Sequence, residues 1–286
     1  INFSGRIYNI FSYGVDRETE QIDYDKVLQL AEQCRPQLIV AGASSYSRTL
    51  DYERFGQIAE SVGAKLLADM AHVAGLVAAG LHPDPVPVAD FVTATTHKTL
   101  RGPRSGFVLC RTGYAEELDR AVFPGLQGGP LMNMIAAKAV AFQEAMQPEF
   151  KSYQQQVIEN ARTMAEVFIE RGFRVISGGT DNHLFLVDVT DRGLTGHGAA
   201  RLLAKANITL NKNVIPFDPK PPLETSGIRI GSPAMTTRGM GAGEAEKVAE
   251  WICALLEKPD DGGRLRDIAG KVEVLCRRFD VYDEYP

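Results

Sequence analysis

Two residues carry the first chemical suggestion. Lys98 lies in TATTHKTLRGP (93–103), and Asp69 lies in the apolar run AKLLADMAH (64–72). A lysine amine attacks carbonyl carbon when its site lowers its pKa and holds it against an aldehyde. The commonest biological setting is linkage to pyridoxal phosphate, whose ring acts as an electron sink. Such a group needs a carboxylate facing its pyridine nitrogen and an anion cradle for its phosphate. Asp69 fits the carboxylate, although an Asp here reads equally as a cap for the next helix. Lys98 alone reads as a surface lysine, because lysine is rarely buried unpaired. His72 beside Asp69 fits a hydrogen bond to a ligand hydroxyl or carboxyl, and alone reads as a turn histidine.

Two more stretches bear on the same chemistry. PGLQGGP (124–130) offers backbone N–H groups of Gly128 and Gly129 ahead of an apolar helix starting near Leu131. Helix N-termini and glycine nests bind anions, but tight turns use Gly-Gly too. Arg229 in TSGIRIGSP sits among apolar strand residues. Its planar fork suits a substrate carboxylate, and the alternative is the solvent face of an alternating strand. His82, His183 and His197 show no partner pattern and are expected to be structural or exposed.

The surrounding elements must bring these residues together. PQLIVAGAS (36–44), AKLLADMAH, VADFVTATTHK (88–98) and SGFVLC (105–110) read as strands. DYERFGQIAESVG (51–63) reads as an amphipathic helix closed by Gly63, and HVAGLVAAG (72–80) as a short helix. Continuous apolar strands alternating with helices predict a mainly parallel sheet with right-handed crossovers. Asp69 and Lys98 are 29 positions apart, about one βαβ unit, and Ser44 lies one unit earlier. All three are therefore expected at the carboxyl edge of the sheet, where ligands of open α/β sheets bind.

From residue 148 the pattern changes. A long helix is expected through 148–172, ending at Gly172. FRVISGG, HLFLVDV, a helix through GAARLLAKAN, then ITLN and GIRIGS follow, with helices around 241–258 and 261–279. This predicts a large α/β unit over 1–147 and a smaller C-terminal α+β unit over 148–286.

Bulk composition narrows the class. The chain has 286 residues, 44% hydrophobic and 23% charged, which suits a globular protein of about two domains. Its net charge of −5 and lack of a basic stripe argue against nucleic acid. No apolar run is long enough to span a membrane. Cys34, Cys110, Cys253 and Cys276 form no CxxC, which argues against zinc and for a reducing, cytoplasmic setting. The opening INFSGRIYNIF begins without Met and reads as the interior of a longer chain, so further N-terminal sequence is expected.

LADMAHVAGL (67–76), VTATTHKTLRGPRSG (92–106), FPGLQGGPLMN (123–133), ANITLNKN (206–213) and TSGIRIGSPAMTTRG (225–239) together resemble serine hydroxymethyltransferase. This is a pyridoxal-phosphate family of the aspartate-aminotransferase fold type. The motifs cover essentially the whole chain in the family's order. The resemblance implies that Lys98 forms the Schiff base and Asp69 faces the pyridine nitrogen. It places Ser44 and His72 near the ring hydroxyl, Thr95 close to the Schiff base and His97 on the phosphate. Gly128 and Gly129 would reach the phosphate of a partner subunit in a homodimer with shared sites. Arg229 would hold the amino-acid carboxylate. Asn213 and Pro221, Pro222 and Leu223 would line a tetrahydrofolate site. The implied reaction passes the one-carbon unit of serine to tetrahydrofolate, giving glycine and methylenetetrahydrofolate.

Two departures qualify the resemblance. Pro221-Pro222-Leu223 stands where the family usually has Ser-Pro-Phe, so aromatic packing is lost there. The family also has an earlier segment with a catalytic glutamate, active-site tyrosines, phosphate-binding serine and glycine, and a histidine that stacks on the ring. None of these lies in the present sequence, which implies a large domain incomplete at its N-terminus and a chain inactive alone. Rival readings are a threonine aldolase or glycine acyltransferase of the same fold, and a non-catalytic fragment.

Overall fold

The computed structural model describes residues 3–281. Ile1, on which the expectation of a longer chain rests, lies outside the described residues, as do the last five of the second unit. After a 3-10 turn at Phe3–Arg6, the chain forms α1 (Tyr24–Cys34), β1 (Leu38–Gly42), α2 (Tyr52–Val62), β2 (Lys65–Asp69), α3 (Ala74–Ala78), β3 (Phe91–Thr95) and β4 (Gly106–Cys110). Helix starts follow side-chain chemistry. The carboxylate of Asp23 accepts from the backbone N–H of Asp25 and Lys26, and that of Asp51 accepts from Arg54. Gly63 closes α2 at φ 72°.

The first sheet has the order β1-β2-β3-β4. β1, β2 and β3 run parallel and β4 is antiparallel to β3. Gly42 is in register with Asp69, and Asp69 with Thr93. The three carboxyl ends therefore meet at one edge, as the βαβ spacing predicts. Leu66, Ala68 and Val92 point into a core shared with Phe55, Ile58 and Leu76.

α4 (Ala115–Arg120), α5 (Met132–Ala145) and α6 (Pro148–Glu170) follow. α6 joins two cores: Phe150 packs with the first sheet, whereas Met164 and Phe168 pack with the second. Then come β5 (Arg174–Val175), β6 (Leu184–Asp188), α7 (Gly196–Ala204), β7 (Asn211–Asn213), β8 (Gly227–Gly231), α8 (Pro233–Thr237), α9 (Ala242–Glu257) and α10 (Gly262–Arg277). The second sheet, β5-β6-β8-β7, is antiparallel throughout.

Three expectations need correction. The strand expected to run to Lys98 stops at Thr95, because the backbone of Thr96 turns to pair with Ser105 and Gly102. ITLN (208–211) is not a strand: the Ile208 N–H closes α7 on Leu203, and pairing starts at Asn211. FRVISGG supplies only two strand residues, since Ser177 takes φ 56° and leaves the ladder.

Candidate active site

The threonines around Lys98 fasten its turn. Thr96 is fully buried, and its hydroxyl donates to the Pro103 carbonyl at 2.5 Å. Its carbonyl accepts from Gly102 N–H at 2.7 Å, and the Lys98 carbonyl from Arg101 N–H at 2.9 Å. On the other side, the Thr99 hydroxyl donates to the His72 carbonyl at 2.8 Å and accepts from Gly75 N–H at 3.0 Å. The Thr99 carbonyl takes the side-chain amide of Gln154 on α6 at 2.7 Å. Gly75 is required here, because a Cβ would overlap the Thr99 carbonyl and the Gln154 amide. The turn bearing Lys98 is thus tied to the loop after β2 and to the long helix.

Lys98 opens into a cavity of about 590 Å³ between the two sheets. His72, His97, Arg101, His183 and Arg229 line it with Lys98, and no Asp or Glu does so among the described residues. The electrostatics follow from that crowding. Burial first, then the charges of Lys98, Arg229 and His97, push the His72 imidazole down to about 4. Burial first, then His72, Arg229, His82 and Lys98, push His183 down to about 3. Desolvation lowers the Arg229 guanidinium from its usual value. A site of this kind favours an anion.

Arg229 comes from β8 and crosses to the first unit, where Nη1 donates to the Ser44 carbonyl at 2.7 Å. The solvent-face alternative for this arginine is set aside. A polar latch fixes the crossing. Arg48 pairs with Asp181 at 3.1 Å and donates through Nε to the Ser177 carbonyl at 3.0 Å. The Ser47 and Ser177 hydroxyls meet at 2.9 Å, and Asn182 donates to the Tyr46 carbonyl at 3.0 Å.

The remaining expected residues fall in different places. Asp69 sits at the end of β2, where Oδ1 accepts from Ala71 N–H at 3.0 Å. The Thr95 hydroxyl reaches the Ala71 carbonyl at 3.4 Å, so both border the same turn. Ser44, Asn213 and Pro222 line a neighbouring cavity of about 540 Å³. Lys212 Nζ holds its rim by donating to the carbonyls of Pro222 at 3.0 Å and Leu223 at 2.5 Å. Leu223 itself is 81% exposed, and the Pro221 carbonyl accepts from Glu224 and Thr225. Gly128 and Gly129 lie in an exposed loop before α5 and line neither cavity.

His183, which has no partner pattern in the sequence, is buried and its ring stacks on His72. No motif marks it. It comes from the loop before β6, and it lines the same cavity as Arg229.

These residues fit pyridoxal phosphate. Nδ1 of His97 is buried without a partner among the described residues, so the cavity wall holds an unsatisfied polar atom beside Lys98. The cationic lining suits a phosphate and a carboxylate. Asp69 supplies a carboxylate at the adjoining strand edge.

A family model for serine hydroxymethyltransferase matches residues 1–252. A curated serine hydroxymethyltransferase from Dichelobacter nodosus is 57% identical over 99% of this chain and 68% of its own length. The chain belongs to the serine hydroxymethyltransferase family. Membership carries use of pyridoxal phosphate and a folate co-substrate, and it makes the protein a pyridoxal-phosphate-dependent hydroxymethyltransferase. It sets aside the threonine aldolase and glycine acyltransferase readings. Among the described residues no helix is long and apolar enough to cross a membrane.

Proposed function

We propose that this serine hydroxymethyltransferase works at the Lys98 cavity, with Lys98 as the amine that bonds the cofactor covalently. The observation that carries the reading is the meeting of Lys98, His97, His72 and Arg229 in one carboxylate-free cavity. Pyridoxal phosphate, when bound, supplies a ring that accepts electron density from the amino acid. Asp69, at the end of β2, would keep a proton on the ring nitrogen of the bound group. His97 would hold its phosphate. His72 and Ser44 would bind on the side of its ring hydroxyl, and Thr95 would stand near Lys98.

Arg229 binds the carboxylate of serine or glycine through its fork, fixing the orientation of the bond to be broken. Its hydrogen bond to Ser44 uses Nη1 and leaves the other face of the guanidinium for substrate. The neighbouring cavity, with Asn213 and the Pro221–Leu223 backbone at its rim, is read as the tetrahydrofolate site.

A homodimer is supported by apolar side chains exposed around α5: Leu131 at 70%, Met132 at 65% and Met146 at 78%. They flank the loop of Gly128 and Gly129, which this reading assigns to the partner subunit's phosphate. The boundary between the units is placed near 147, where α6 begins. The four free cysteines support a cytoplasmic setting.

The test is formation of glycine from serine with and without tetrahydrofolate. Glycine should appear only with folate, and Asn213→Ala should raise the KM for folate while leaving that for serine. Glycine formation that ignores folate would contradict the assignment.

A further inference from the structure

His183 has a geometry that its part in the cavity wall does not explain. The residue is 6% exposed and its Nδ1 has no partner among the described residues. Its backbone is held firmly. The His183 carbonyl accepts from Ser232 N–H at 3.0 Å, and the side chain of Asn182 ties the same loop to Tyr46 and Leu184. His72 contrasts with it. Its carbonyl is fixed by Thr99, but among the described residues no hydrogen bond holds its ring. What its ring does touch is His183, with centroids 5.7 Å apart and planes 25° from parallel.

We propose that His183 is a positioning residue whose buried ring is the platform that orients His72 in the cavity. Offset stacking of flat rings favours one orientation over the others and excludes water from the shared face. The rigid member is anchored in the second unit and the oriented member in the first. The stack therefore also reports whether the two units are correctly apposed. Lys98 and Arg229 disfavour a proton on both rings, His97 on that of His72 and His82 on that of His183. The consequence for catalysis rests on the reading of His72 as a cofactor-side group. The stack itself does not.

The experiment follows the His72 ring by NMR titration in the cofactor-free protein, so that it stands apart from activity. In the wild type the His72 ring should stay neutral well below pH 6. In His183→Ala its midpoint should rise towards the ordinary histidine value of about 6.5, as water reaches the uncovered face. His183→Phe keeps a flat buried face and should leave the midpoint low. Should His183→Ala fail to fold, His183→Asn replaces it with the same expectation. A midpoint unmoved by Ala or Asn overturns the proposal, as does an equal shift in Phe. Loss of melting temperature alone, without movement of the His72 midpoint, marks a merely structural residue and also overturns it. Absence of cofactor binding in the wild type would contradict the proposed function and leave the stack result standing.

Discussion

At one residue, Thr99, three segments of the chain are tied together. Its hydroxyl serves His72 and Gly75, while the carbonyl of the same residue takes Gln154. Thr99→Val keeps the shape and leaves two buried backbone groups unpaired, so it should cost about 1–3 kcal/mol for each group. Denaturant unfolding checks this, and an unchanged midpoint would refute it. The histidines give a pH prediction. His72 and His183 are held down to about 4 and 3, against about 6.5 in an unfolded chain. Below about pH 6.5 the unfolded state takes up protons that the folded state resists. Their stabilising contribution is whole above that pH and is lost as pH falls towards 4 and 3, so the melting temperature should drop across that window. At this scale the placement of Asp69 and Lys98 after adjoining strands was legible, because spacing along the chain sets it. Thr99 and His183 were not, since their partners arrive from remote segments.

Among the elements, α6 carries the most consequence. One end packs Phe150 under the first sheet and the other packs Phe168, fully buried, against Phe173 and Phe185. Phe168→Ala should cost about 3–5 kcal/mol through lost burial and the cavity left behind. Asp51→Ala removes the cap of α2 and should cost only about 1 kcal/mol. Thermal or denaturant melts rank the two, and a reversed order would contradict this account of the packing. The strand–helix alternation and the 29-residue spacing placed the β2 and β3 edges correctly, since both rest on local periodicity. Ile208 misled because a helix closure outcompeted its β-branched preference for strand, a choice set by the Leu203 carbonyl.

The cavity belongs to neither half of the molecule alone. Lys98 and His72 come from the first unit, Arg229 and His183 from the second, and the Arg48–Asp181 latch holds them together. Arg48→Ala should therefore weaken binding of glycine, through Arg229, more than it changes helix content. Calorimetry alongside far-UV circular dichroism tests this, and an unchanged glycine affinity would refute it. The change of pattern near residue 147 marks where the strands of the second, antiparallel sheet begin to follow. The latch was not legible, because its partners are more than a hundred positions apart in sequence. Lys98 is the proposed point of attachment of pyridoxal phosphate. Borohydride reduction of the cofactor-treated protein, followed by peptide mass spectrometry, measures it most directly. The added mass should fall on the Lys98 peptide alone and disappear in Lys98→Ala. Attachment at another lysine, or equal labelling of the variant, would contradict it.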